Sequence, residues 1–194
     1  HVYTTDPELA DTALAKLLPT YVEAYSMAGT VHPTRDANLA LYLHGSRVSA
    51  SSTNRWRRAT ATINGSYATT WGADKRADEH WIAVDFRRKV TVGRVVAVRG
   101  CNPDGTPYPD AKGWQLEAKS GDGKWVAIDQ PQQAHHFVHW NAKVNRWERA
   151  DRPAAAPRRA TEFKFTPIST TAIRVLSRAP KSRPSAYEIE AYGQ

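Results

Sequence analysis

An all-β sandwich is the fold class that this sequence predicts, with one short helix ahead of it. Three observations carry the prediction. From Asn38 onward, short apolar stretches alternate with polar residues and are separated by turn signals. The chain holds 12 Pro, 11 Gly and 7 Trp, a composition that favours strands and loops over a helical bundle. It also lacks heptads, internal repeats and alternating strand–helix units, which argues against coiled coils and parallel α/β folds.

The helix comes first. Thr5-Asp6-Pro7-Glu8 offers a capping residue, an early proline and acids for the first turn. Leu9, Ala13, Leu14, Leu17 and Leu18 then share one face, and Pro19 kinks or stops the element. Residues 1–35 read as a helical lead-in or linker, and 36–194 as the sandwich domain. Its strands are expected at Trp81–Phe86, Arg94–Val98, Trp114–Lys119, Trp125–Ile128, Phe163–Phe165, Ile173–Val175 and Tyr187–Ala191. Trp114, Leu116 and Ala118 alternate with Gln115, Glu117 and Lys119, as one buried face requires. Gly121-Asp122-Gly123 then turns the chain into its hairpin partner. Trp71, Trp81, Trp114 and Trp125 are assigned to the sandwich. Residues 130–160 break the rhythm and read as a long loop, rich in His, Pro and Arg.

Composition limits function. No run approaches the roughly 18–20 apolar residues of a membrane-spanning helix. Cys101 is the only cysteine, so an internal disulfide and a zinc site built of thiolates are both excluded. Lys and Arg number 27 against 19 Asp and Glu, a surplus of +8 that suits an acidic partner. His1 opens into a polar stretch, so any targeting segment lies outside this sequence or has been removed. Nucleophile elbows, phosphate loops and His-Glu-x-x-His are all missing, and Glu188 and Glu190 share a strand face without flanking a cleft. Catalysis is not expected, and no recognised nucleic-acid-binding motif accompanies the charge.

Several pieces stand in an informative order. Asn38-Leu39-Ala40 is followed by Ala50-Ser51-Ser52, then by Asn64-Gly65-Ser66-Tyr67-Ala68-Thr69-Thr70-Trp71. The strand led by Trp81, the Trp114–Trp125 hairpin, Ile173-Arg174-Val175 and a closing Glu188-Ile189-Glu190-Ala191-Tyr192-Gly193 come next. This succession resembles the discoidin, or coagulation-factor type C, family of galactose-binding-like domains, which includes bacterial carbohydrate-binding modules. The resemblance covers about residues 38–193. It implies an eight-stranded antiparallel jelly roll, here with the short N-terminal helix, and binding on loops at one end. The chain departs from the family in having Asn64 where Asp is usual and Ser66 where Asn is usual.

The candidate sites follow from residues and resemblance together. Trp56, Arg57 and Arg58 lie on an expected loop. The indole can stack on a pyranose while the guanidinium groups bond hydroxyls or carboxylates, or it can fold back over the core. Arg99 and Asn102 are the residues onto which the family's sugar-bonding Arg and Asn map, and Tyr108 is a further aromatic. His136 and Trp140 are placed near the ligand, whereas His135 and His139 lack the partners a zinc site needs. The resemblance implies that Asn64, Ser66, Thr69 and Glu188 hold a structural Ca²⁺. The alternative is that Asn64-Gly65 is a hairpin turn and Glu188 a surface carboxylate. The expected function is a non-catalytic module, secreted, extracellular or periplasmic and tethered to other domains, recognising galactose-type or acidic glycans. Its rivals are adhesion to an anionic lipid or protein surface, and a spacer role in a larger enzyme.

Overall fold

A computed structural model of the chain describes residues 37–66, 69–74, 79–100, 114–129, 131–141, 146–150, 158–178 and 184–193, of which 100, 136, 139–141 and 146–148 are described by backbone alone. The chain divides into two compact units, 1–34 and 35–194, and the expected N-terminal helix lies outside the described residues.

The described residues form ten strands: β1 Arg47–Ala50, β2 Trp71–Gly72, β3 His80–Gly100, β4 Trp114–Lys119, β5 Trp125–Ala127, β6 Gln132–Asn141, β7 Arg146–Ala150, β8 Arg158–Ser177, β9 Ser185–Ala186 and β10 Glu188–Tyr192. All pairings among them are antiparallel. Two strands, β3 and β8, are long enough to serve both layers of the sandwich. Their 80–85 and 172–177 halves pair together and continue into β1 on one side and β4–β5 on the other. Their 94–100 and 158–164 halves pair again, flanked by β10 on one side and β6–β7 on the other.

The strands read as separate in the sequence, Trp81–Phe86 with Arg94–Val98 and Phe163–Phe165 with Ile173–Val175, are therefore joined. Register shifts between Asp85 and Val90 and between Val92 and Arg94 separate the halves. Local chemistry explains both. Asp85 Oδ1 accepts the Arg87 N–H at 2.7 Å, and Arg87 takes a positive φ of 59°, so residues 86–89 bulge from the ladder. Opposite the second shift lies Pro167, which has no N–H to give a ladder and is tolerated where pairing lapses.

The core sits between the two layers. Ile82, Val84 and Phe86 face Val95, Ala97, Phe163, Ile189 and Ala191, with Leu116, Ile173 and Val175 completing the first layer. Trp71 and Trp114 belong to this core. Trp81 and Trp125 do not. Strand alternation turns them to the outer face of the first layer, where the Arg174 guanidinium lies over both rings, 5.8 and 4.8 Å from their centres. Glu117 holds that guanidinium in an ion pair.

The terminal motifs of the domain are tied together. Asn38 Oδ1 accepts N–H bonds from Ala40 and Ala191, both at 3.0 Å, and Leu39 N–H donates to Ala191 O at 2.7 Å. The expected 121–123 hairpin is present, with Gly123 at φ 83° and Ser120 N–H donating to Lys124 O. Residues 130–160 correct the sequence reading. Far from a structureless loop, their described residues supply the antiparallel pair β6 and β7 and the start of β8.

Candidate functional site

One end of the sandwich gathers most of the candidate residues. Gly100 ends β3, Trp114 begins β4, Arg158 begins β8, and Ser185–Ala186 lead into β10 there. The β6–β7 hairpin also extends past that end, because His139, Trp140 and Asn141 pair with β7 beyond the last β8 partner of β6, Arg158.

Trp56 stands on a short turn that its own sequence builds. Asn54 Oδ1 accepts the Trp56 N–H at 3.0 Å, and Asn54 O accepts the Arg57 N–H at 3.1 Å. Two further backbone bonds, Asn54 N–H to Gly72 O and Gly72 N–H to Arg57 O, pin the turn to β2. The turn is thus fixed at its base while its tip projects. Trp56 is 82% exposed, the most exposed large apolar side chain among the described residues, so it does not fold back over the core. Arg55 lies over its ring at 4.9 Å, and Arg57 and Arg58 are both exposed. None of these three arginines has an acidic partner among the described residues. The tip is an aromatic blade set in uncompensated positive charge.

Arg99 corrects an expectation. It is not a loop residue but the penultimate residue of β3. With the parity of Val95 and Ala97 it points inward, is 4% exposed, and lies 5.6 Å from the centre of the Trp114 ring. It closes the end of the core instead of presenting a guanidinium to solvent. Asn102 and Tyr108 lie outside the described residues. His136 and Trp140 are on β6, the first in register with Ala160 and the second with Trp147. His135 Nδ1 is 3.2 Å from Thr161 Oγ1. Arg55 flanks Trp56 in the sequence as well, whereas sequence reasoning passed over the pairing of Arg158 with Tyr187, whose guanidinium–ring distance is 3.9 Å at this end. Strand parity two residues ahead of Ile189 could not reveal that contact, because it depends on β8 pairing beside β3.

The four residues assigned to a cation do come together. Asn64 Oδ1 accepts the Ser66 N–H at 2.9 Å and the Thr69 hydroxyl at 3.3 Å, while Asn64 Nδ2 donates to Thr69 Oγ1 at 3.0 Å. Gly65 N–H donates to Glu188 Oε1 at 3.3 Å, which brings the turn against β10. Glu188 is 1% exposed, so it is no surface carboxylate, and its Oε2 is buried without a hydrogen-bond partner. Burial, reinforced by Glu190, pushes the Glu188 carboxyl well above the usual carboxylate range, and the Gly65 N–H only partly offsets this. A buried carboxylate oxygen beside a turn rich in oxygen donors suits a hard cation such as Ca²⁺. Among the described residues no group of three His, Cys, Asp or Glu could form a transition-metal site.

This antiparallel β-sandwich is similar in fold to solved carbohydrate-binding modules. Chitosan-binding module 1 of a chitosanase/glucanase from Paenibacillus sp. IK-5 is 20% identical, with 81% of this chain and 99% of that one covered at a TM-score of 0.54. The lectin domain of lectinolysin, in complex with Lewis B antigen, is 16% identical over 82% of this chain and 99% of that one, at 0.56. The family 32 module of C. perfringens NanJ, in complex with galactose, is 14% identical over 76% and 93%, at 0.52. At these identities the likeness is one of fold. No family model and no curated protein matches the chain.

Proposed function

We propose that the sandwich domain is a non-catalytic glycan-binding module whose ligand surface is the loop end carrying Trp56. The observation behind this reading is the Trp56 turn, rigid at its base and exposed at its tip. An indole held in water by a hydrogen-bonded turn has an unsatisfied apolar face of the size of a pyranose ring. The fold shared with glycan-binding modules supports the same reading.

Charge narrows the ligand class. Arg55, Arg57 and Arg58 offer paired donors suited to a uronate carboxylate or a sulfate, so acidic glycans are favoured over neutral galactosides. Such a module acts as an accessory unit of a larger extracellular or periplasmic protein. No helix among the described residues is long and apolar enough to cross a membrane. A Ca²⁺ ion held by Glu188 with the oxygens of Asn64, Ser66 and Thr69 would neutralise a buried carboxylate and brace the turn against β10, a structural role.

The test is a glycan array of neutral galactosides and uronate-bearing or sulfated polysaccharides, run at two salt concentrations beside anionic liposomes. Binding to acidic glycans, weakened by salt and reduced roughly tenfold (about 1.4 kcal/mol) in Trp56→Ala, supports the reading. Binding to liposomes with no glycan bound would replace it with adhesion to lipid, and silence on all three would leave a spacer.

A further inference from the structure

The Asn64–Gly65 peptide is built for a chemical change of its own. We infer that Asn64 is a self-modifying site, losing its side-chain ammonia to become an aspartate on the turn that contacts Glu188. The consequence drawn from it below rests on the calcium reading just given; the modification itself does not.

The reaction starts when the Gly65 backbone nitrogen attacks Asn64 Cγ. A C–N bond forms and closes a five-membered succinimide. The Cγ–Nδ2 bond breaks, and Nδ2 departs as ammonia, carrying the proton that Gly65 N gives up. Water then opens the ring, at Cγ to leave aspartate or at the backbone carbonyl to leave isoaspartate. One water is consumed and one ammonia released, with no oxidant or reductant.

Four features favour this at Asn64. Of the six asparagines in the chain, only Asn64 precedes a glycine, the residue whose missing Cβ leaves the attacking nitrogen unhindered. Gly65 N is not committed to a backbone ladder, because its hydrogen bond is the 3.3 Å contact to Glu188 Oε1. The Ser66 N–H and the Thr69 hydroxyl both donate to Asn64 Oδ1, which draws electron density from Cγ and stabilises the oxyanion of the tetrahedral intermediate. Finally, Asn64 is exposed, so water reaches the ring to open it.

The product places a second carboxylate on the turn that already holds Glu188 through Gly65. Close to a divalent cation a carboxylate oxygen binds more strongly than an amide oxygen, so the chain that carries the aspartate product, unlike one carrying isoaspartate, should hold Ca²⁺ more tightly than the fresh one.

The experiment incubates the full chain for days in mildly alkaline buffer at physiological temperature, beside a short synthetic peptide spanning Asn64 as the unfolded reference. Digestion and mass spectrometry should find a gain of about 1 Da confined to the peptide bearing Asn64. Gly65→Ala should slow the gain roughly tenfold by restoring a Cβ beside the nucleophile. Thr69→Val should slow it in the folded chain but not in the synthetic peptide. An Asn64 that stays an amide while the free peptide converts would overturn the inference, since the fold would then be protecting the site. In a second arm, the calcium-induced rise in Tm should be larger in Asn64→Asp than in the fresh chain. Equal rises would overturn the strengthening, whereas no rise in either would sink the calcium reading and leave the modification standing on its mass.

Discussion

Replacing Glu188 by glutamine should change stability in opposite directions with and without calcium. The side chain is 1% exposed, with Oε2 unpartnered and Glu190 on the same strand face. Holding a carboxylate ionised there costs several kcal/mol, and one bond from Gly65 N–H returns about 1 kcal/mol. Glutamine keeps the shape and removes the charge. In chelator, Glu188→Gln should therefore match or exceed the wild type, by about 1–2 kcal/mol, or roughly 2–8 °C in Tm for a chain of this size. In calcium at about 100 times its Kd, the wild type gains about 2.7 kcal/mol that the variant largely lacks, and the order reverses. Differential scanning calorimetry of both proteins in both buffers reads the crossing directly. If Glu188→Gln loses the same stability in chelator as in calcium, the carboxylate serves only as an acceptor for Gly65 and the cation argument fails.

Three further outcomes can be checked. Glu117→Ala should cost about 2–3 kcal/mol in urea denaturation by leaving Arg174 uncompensated between Trp81 and Trp125, whereas the paired change Glu117→Leu with Arg174→Met should be close to neutral. Gly72→Ala would place a Cβ 2.8 Å from Arg57 Cδ, so the exposed arginine must swing aside; glycan affinity measured by calorimetry should fall while Tm stays nearly unchanged. His44 is held below the usual 6.5, by burial first and by Arg88 second. A histidine lowered on folding contributes stability that is complete above about 6.5 and lost as pH falls through the folded value. The fall in Tm on acidifying below that point should thus be shallower in His44→Asn than in the wild type.

The sequence made the layers legible wherever one face of a strand is buried. Ile82, Val84 and Phe86 alternate with Trp81, Ala83 and Asp85 because only the first set enters the core. The same parity predicts that Trp81 points outward and that Arg99, in step with Val95 and Ala97, points inward. Assigning Arg99 to a loop let residue type override position. The β6–β7 hairpin was hidden for another reason. Gln132, Gln133, Ala134 and His135 are all exposed, so β6 lacks the alternation that identifies a half-buried strand. Its pairing with β8 is a tertiary fact that no local pattern encodes. The Asn64–Thr69 turn was legible as a motif, but its most informative neighbour, the Glu188 Oε2 that lacks a hydrogen-bond partner among the described residues, became visible only once β10 was packed against the turn.

Charge is where sequence and structure together decide most. A surplus of +8 describes the whole chain and selects no surface. The ion pairs leave that surplus unchanged but show which arginines are already answered. Arg94 is held by Glu162, Arg174 by Glu117 and Arg178 by Glu79, and Arg94 and Arg174 are also stacked on rings. Arg94 and Arg174 lie on sheet faces, Arg178 follows the end of β8, and all three charges are answered by acids of the same chain. The Trp56 turn differs because Arg55, Arg57 and Arg58 have no such answer among the described residues, and the indole they surround is 82% exposed. A hydrogen-bonded turn that keeps both an aromatic face and three cations in solvent gains nothing for the fold from either. We propose for this turn a partner that carries an apolar face and a negative charge within one small unit, as a uronic acid or sulfated sugar does.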